Sequence, residues 1–305
     1  MLRFDALSKR SGVARRLVLS AAAKINLALE VLGKRDDGYH EVATVMQAVD
    51  LCDRLVIEDA EGLELRVSAP DIPSDGSNLA ARAARALQEA AGLERGARIT
   101  LAKRIPAAAG LGGGSADAAA TLVGLSRLWG LRWPVARLAE LAATLGTDVP
   151  FFLHGGAARG TGRGERIESV GGAALALVLV HPGVGTSTSA IYRGVTPAMY
   201  SDGSHVREIV AALRSRRPAR IAASLYNALE RVAAAAHVQV TQMEAALLAA
   251  GALGAAMSGS GLTVFGVARS FEHARQIRAR IVRGSWRCWA VRAIRGPAIR
   301  MRRER

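Results

Sequence analysis

Cysteine is nearly absent from this chain. There are two in 305 residues, Cys52 and Cys288, with no Cys-x-x-Cys pair and no cluster of cysteine with histidine. That excludes a disulfide framework and a structural zinc site, and it fits a reducing, cytoplasmic compartment. Aromatic residues are scarce as well, at 4%. No apolar run reaches membrane length: the stretches at 171–180 and 245–256 are too short or too glycine-rich to span a bilayer. Residues 1–16 are basic but lack an apolar h-region and a small-residue cleavage site, which argues against a secretory signal. They read as an extension ahead of the folded part.

What the chain has in excess is positive charge. Lysine and arginine number 41 against 26 acids, a net charge of +15. The excess gathers at the ends. Residues 1–16 carry five basic residues and one acid, and residues 276–305 carry ten arginines and one acid. Such a surplus bears on partners, not on fold. It admits nucleic-acid binding, attraction of polyanionic small molecules, or simply solvated helix faces. The basic stretches have no interleaved aromatics, which counts against base stacking.

Half the residues are hydrophobic, enough for one large domain or two medium ones. Apolar alternation predicts strands at 17–20, 24–31, 42–49, 54–58, 63–68, 98–103, 174–181 and 287–293. Helical patterns cover 79–91, the segment from the glycine loop to about Trp129, 134–145, 205–214, 218–235, 239–250 and 271–282. Asn78 is placed to cap the first helix and Gly92 to end it. Strand runs mixed with helix runs make the fold class α+β. A domain boundary is expected near 165, giving units at 17–165 and 166–296, an extension at 1–16 and a solvated basic tail at 297–305.

The segment that carries chemistry runs Pro106-Ala-Ala-Ala-Gly110-Leu111-Gly112-Gly113-Gly114-Ser115-Ala116-Asp117. Glycine allows left-handed backbone and close approach to a ligand. The helix that follows offers free N–H groups and the positive end of its dipole. Together they make an anion site, most naturally a phosphate cradle. No Gly-Lys-Ser/Thr follows, so this is not a Walker A loop, and Ser115 stands where a dinucleotide fingerprint needs its last glycine. Asp117 falls in the first helical turn, where a negative charge also suits the dipole.

Two more pieces line up with this loop. Ala23-Lys24-Ile25-Asn26-Leu27, on an early strand, is followed by Gly38-Tyr39-His40-Glu41; Met257-Ser258-Gly259-Ser260-Gly261 comes late in the chain. Lys24 is a cation in an apolar strand, either a group for phosphoryl transfer or a lysine snorkelling at a strand edge. Asn26, two residues on, projects from the same face. Asp148 is either a general base or the N-cap of a short helix. Tyr39 and His40 are either a base reader or ordinary turn residues. Gly259–Gly261 reads equally as a tight turn.

These stretches, with LGTDVPFFL and HPGVGTSTSAIY, resemble the GHMP kinase superfamily, and within it the branch acting on a cytidine diphosphate ester of methylerythritol. The resemblance covers roughly 18–295. It implies a two-domain fold with the active site in the inter-domain cleft, ATP as phosphoryl donor, Mg²⁺ with the ATP, and transfer to the 2-hydroxyl of that small-molecule substrate, a step of the non-mevalonate isoprenoid route. It implies Lys24 and Asp148 as the catalytic pair, and Asn26, Tyr39, His40, Thr188 and Tyr192 at the substrate. It places Pro106, Gly110, Leu111, Gly112, Gly113, Gly114, Ser115 and Ala116 around the ATP phosphates, with Asn78 and Lys103 near the adenine. No carboxylate cluster identifies metal ligands. The expected state is a monomer or homodimer with no membrane or nucleic-acid partner. Three residues depart from the pattern: Ala116 replaces a second serine, Ala228 replaces an aspartate, and Leu262 stands where small residues are commoner.

Overall fold

The computed structural model describes residues 16–281 and 284–303. Two long strands open it, β1 (Arg16–Lys34) and β2 (His40–Glu58). The breaks in apolar alternation that suggested four short strands are one irregularity in a single antiparallel pair, where Ala22 pairs with Cys52 and Ala23 with Val49; further register shifts follow between Asn26 and Ala28 and between Val31 and Gly33. Then come β3 (Leu63–Val67), α1 (Leu79–Ala91), β4 (Ala97–Ala102), α2 (Gly113–Leu128), α3 (Val135–Leu145), α4 (Val149–His154), β5 (Ala157–Thr161) and β6 (Arg166–Ser169). The second half holds β7 (Ala176–His181), α5 (Thr188–Arg193), α6 (Ser204–Ser215), α7 (Pro218–Ala223), β8 (Tyr226–Asn227), α8 (Glu230–Ala236) and α9 (Gln239–Ala249). It ends with β9 (Ala255–Met257), β10 (Val264–Ala268), α10 (Phe271–Arg280), β11 (Arg287–Arg292) and β12 (Ile299–Arg303).

The first helix forms as its sequence dictates. Asn78 Oδ1 accepts the Ala80 N–H at 2.9 Å, Gly92 closes the last turn at φ +61°, and Ala80, Ala83, Ala84 and Leu87 form one buried stripe. The main sheet runs β12-β1-β2-β4-β3, with β5 on β2, β6 on β5, and β8 parallel to β1. Helices α1 to α4 pack on it over a core that includes Leu19, Leu55, Ile57, Leu87, Leu122, Phe151 and Phe152. The second sheet runs β11-β7-β10-β9. A second core of Ile25, Leu27, Val45, Leu177, Leu179 and Phe265 joins it to the far half of β1 and β2. β1 therefore crosses both cores, and the site lies near its middle. No helix among the described residues is long and apolar enough to cross a membrane.

Three expectations change. The helix expected over 218–235 is interrupted, because Tyr226 and Asn227 leave it to pair with Ala28 and Leu29 of β1. That stretch of β1 lies beyond the reach of β12, which covers Leu17 to Ala21, and buried backbone groups need partners. The boundary expected at 165 falls inside the β5–β6 hairpin, so the first sheet continues to Ser169. The segment expected as a solvated tail is instead a strand: Ile299–Arg303 pairs antiparallel with β1. Its alternation explains this, with Ile299 buried against the core while Arg300 and Arg302 face solvent. Residues 1–15 of the expected extension, and residues 304–305, lie outside the described residues.

Two predictions follow from the packing. Truncation after Gly296 strips the β1 edge and uncovers the Ile299 site, a loss of ~2 kcal/mol for that side chain, so Tm should fall by roughly 4 °C or more in a thermal melt. His181 is buried on β7, shares a hydrogen bond with Thr263 at 3.3 Å, and burial, aided by Arg287, pushes its pKa down to about 4. The unfolded chain takes up this proton near pH 6.5 and the native chain does not, so stability is full above pH 6.5 and drains as pH falls towards 4. In His181→Gln the decline in Tm between pH 7 and 4.5 should be shallower than in wild type; an equal slope would refute the assignment.

Candidate active site

β1 sets out Lys24 and Asn26 on one face, as the two-residue period requires. Lys24 Nζ donates to Asn26 Oδ1 at 2.6 Å and lies 3.3 Å from Asp148 Oδ2. The Asn26 amide is fixed from behind: its Nδ2 donates to Thr44 Oγ1 at 2.8 Å, and Thr44 Oγ1 donates to the Ala28 carbonyl at 2.7 Å. Asp148 stands at the start of α4 with helical backbone angles, and its side chain makes no capping bond. Asp148 thus holds the N-cap position of α4 without capping through its side chain, and the carboxylate turns towards Lys24. The lysine side chain is 4% exposed and the aspartate 33%. A buried ammonium thus supports a carboxylate that is open to solvent, the access a general base needs.

The glycine loop lies beside this pair. Gly110 and Gly112 have φ of +78° and +67°, and Gly112 caps α2. A Cβ at Gly110 would collide with the Ser258 carbonyl, and one at Gly112 would come 2.8 Å from Phe152 and 3.0 Å from Lys24 Cγ. Ala108 also takes a left-handed φ, +49°, a strained choice for a residue with a side chain. At the start of α2 the N–H groups of Gly113, Gly114 and Ser115 precede the first intrahelical bond, and that bond runs from the Ala116 N–H to Gly112 O at 2.9 Å. Ala116 sits at the inner side of this turn. Its N–H is spent in the helix and its methyl is fully buried in the core. The same burial explains why alanine serves where a second serine was expected. Leu111 is buried too, and contributes its carbonyl to the Lys24 N–H at 2.9 Å.

Beneath the loop lies a charge cluster that sequence patterns did not reveal. Lys103 Nζ bridges Asp53 Oδ2 and Asp117 Oδ2, the latter at 2.7 Å, while Asp53 Oδ1 accepts the Arg104 and Ile105 N–H groups. Asp117 is the fifth residue of α2 and buried in this cluster, not an exposed first-turn acid. Burial pushes its carboxyl up to about 7, opposed by Lys103 and reinforced by Asp53. Burial also works against the Lys103 ammonium, but Asp117 and Asp53 outweigh it and hold that group above its ordinary value. Lys103 thus braces the loop from below. Asn78, expected near it, spends its amide on capping α1 and on the Pro73 carbonyl.

At the other end, His40 stacks on Tyr192 with ring centroids 5.3 Å apart, and Tyr200 meets His40 edge-on at 6.4 Å. Burial, with help from Lys34, lowers the His40 pKa and favours the neutral ring, which can both donate and accept. Burial raises the Tyr192 phenol far above its usual range, and the Asp148 charge adds to the shift. Tyr39 stands apart, 57% exposed on the turn, with the Arg163 guanidinium 4.8 Å over its ring. Thr188 shares a 2.8 Å hydrogen bond with Ser260, tying α5 to the Gly259–Gly261 turn. Tyr200, Arg163, Thr44 and Asp53 were not singled out in the sequence, whereas Ser258 belonged to the late Met257–Gly261 piece. None of these four carried a local signal: Asp53, for one, lies in the charged stretch between the strands expected at 42–49 and 54–58. Gly110→Ala should weaken ATP binding by ~10-fold or more in a nucleotide titration, because the loop cannot keep its seat against Ser258; unchanged affinity would refute that fit.

Comparison with known proteins agrees with this geometry. The GHMP kinases N terminal domain family matches residues 78–156, and the GHMP kinases C terminal family matches residues 209–287. The 4-diphosphocytidyl-2-C-methyl-D-erythritol kinase of Pelotomaculum thermopropionicum is 49% identical over 263 residues, covering 85% of this chain and 92% of its own. That of Moorella thermoacetica is 46% identical over 273 residues, covering 87% and 94%. A crystal structure of 4-(cytidine 5'-diphospho)-2C-methyl-D-erythritol kinase superposes with a TM-score of 0.78 at 38% identity, over 90% of this chain and 98% of that one. A homoserine kinase from Cytophaga hutchinsonii, at 20% identity and a TM-score of 0.75 over 98% of this chain and 99% of its own, shares the fold. With relatives of this identity over nearly their full length, and with both GHMP kinase domains matched, the chain belongs to the 4-diphosphocytidyl-2-C-methyl-D-erythritol kinase family of the GHMP kinases.

Proposed function

We propose that this kinase moves the γ-phosphoryl group of ATP to the 2-hydroxyl of 4-diphosphocytidyl-2-C-methyl-D-erythritol, in the non-mevalonate route to isoprenoid precursors. The observation that carries the reading is the Lys24–Asp148 pair beside the free N–H groups of α2. Asp148 accepts the hydroxyl proton as the new O–P bond forms; the bond from the γ-phosphorus to the β–γ bridging oxygen breaks, and ADP leaves with that oxygen. Lys24 neutralises charge on the attacking oxygen and the transferring group. Asn26, held by Thr44, orients the polyol. The Gly113, Gly114 and Ser115 N–H groups receive the phosphates.

His40 and Tyr192 form the aromatic floor we assign to the cytosine, with Thr188 near the diphosphate. Tyr39, on its exposed turn, is the ring that we assign to the base's outer face. Mg²⁺ bound with ATP supplies further neutralisation of the β- and γ-phosphates. Among the described residues no three His, Cys, Asp or Glu side chains gather into a metal cage. That donor set suits an ion held mainly by the triphosphate, with Ser115 Oγ as the side-chain oxygen that the loop offers. Cys52 and Cys288 are both free thiols, which suits the cytoplasm.

The test is ATP-dependent turnover of the cytidylyl substrate. Asp148→Ala should lower kcat by ~10²-fold or more while leaving ATP affinity within about threefold of wild type. Equal turnover in the variant would remove Asp148 as the base. A wild-type enzyme that binds ATP yet leaves this substrate untouched would overturn the substrate assignment.

A further inference from the structure

Behind the reacting pair, a short segment of the second half grips the strand end that touches it. β8 pairs with β1 next to Leu29, and the Ala228 N–H donates to the Leu29 carbonyl at 2.9 Å. From that fixed position Asn227 Nδ2 donates to the Met257 carbonyl at 2.8 Å and to the Gly259 carbonyl at 2.9 Å. Its Oδ1 accepts the Leu229 N–H at 2.9 Å, so both ends of the amide are used. Glu230 Oε2 accepts the Met257 N–H at 2.6 Å.

The gripped backbone leads directly to the reacting groups. Ser258 Oγ accepts the Asn26 N–H at 3.3 Å and donates to the Gly110 carbonyl at 3.0 Å, linking the catalytic strand to the phosphate loop. Gly259 passes so close that a Cβ there would lie 3.1 Å from both Lys24 Nζ and Asn26 Oδ1. β9 itself is three residues long and pairs only with β10. The two side chains supply the restraint that so short a strand lacks. Glu230 and Asn227 also line a cavity of about 470 Å³ with Tyr226, Arg231 and Glu244, so no packed side chain stands ready to fill the place of either one.

We propose that Asn227 and Glu230 are positioning residues for phosphoryl transfer: they fix the Met257–Gly259 backbone, and through Ser258 and Gly259 they hold Lys24 and Asn26 in place against the glycine loop. The proposal rests on the reading of Lys24 and Asp148 as the reacting pair. A merely structural role would lower stability and leave turnover of the folded enzyme alone. A positioning role lowers kcat while KM stays put, because displacement of a reacting group by a fraction of an ångström slows the chemical step.

The experiment compares Glu230→Ala, Glu230→Gln and Asn227→Ser with wild type, well below each melting temperature. Glu230→Ala should lose ~10-fold or more in kcat, with KM for ATP and for the cytidylyl substrate within about twofold. Glu230→Gln keeps an oxygen for the Met257 N–H and should recover to within about threefold of wild type. Full kcat in Glu230→Ala, or a Gln variant as slow as the Ala variant, would overturn the proposal. Should Glu230→Ala not fold, Asn227→Ser takes its place, and full kcat there would overturn it equally. Amide hydrogen exchange of the 23–28 segment reads the same claim without substrate. It should quicken in the variants, and unchanged exchange would overturn the proposal even if wild type proved inactive on this substrate.

Discussion

A lysine ammonium almost sealed from water is the constraint around which the rest is arranged. Taking Lys24 out of solvent is costly unless anions and oriented dipoles replace the lost hydration. Asn26 Oδ1 and Asp148 Oδ2 do so, from β1 and from the start of α4. The consequences spread outward. Thr44 must lock the Asn26 amide, and α4 must begin where it does. Position 259 favours glycine, since its φ is +61° and a Cβ would crowd Lys24 Nζ at 3.1 Å. The bulge between Asn26 and Ala28 changes the phase of β1 just past the pair.

Much of this was legible in the sequence, for local reasons. The two-residue period put Lys24 and Asn26 together. Asn78 and Gly92 bounded α1 through chemistry carried within a few residues, and the glycine run announced left-handed backbone ahead of α2. Asp148 was ambiguous between cap and base, and the sequence could not tell that its side chain makes no cap bond. The Asp53–Lys103–Asp117 cluster was hidden because its members come from β2, the end of β4 and α2, and no local pattern couples them. Tyr200 sits in a loop with no periodicity to place it.

The surplus of arginine acquires a partial explanation. Arg300 and Arg302 project from β12, which is the outer edge of the main sheet among the described residues. Bare strand edges invite pairing with other chains, and charge along them discourages it. Elsewhere many arginines pair with nearby acids at the surface, as Arg98 does with Glu64 and Arg159 with Glu168, and such pairs add little to stability. The charge is largely a property of surfaces away from the reacting groups.

The pairing of β1 with β12 also governs how the chain can acquire its shape during synthesis. The strand that carries Lys24 leaves the ribosome well before its partners β8 and β12. The N-terminal sheet therefore waits with an open edge until the C-terminal arginines emerge, and closing so long a loop is a slow, entropically expensive step. Assembly of the catalytic strand is a late event, and a nascent chain arrested before its last strand exposes that edge to its neighbours.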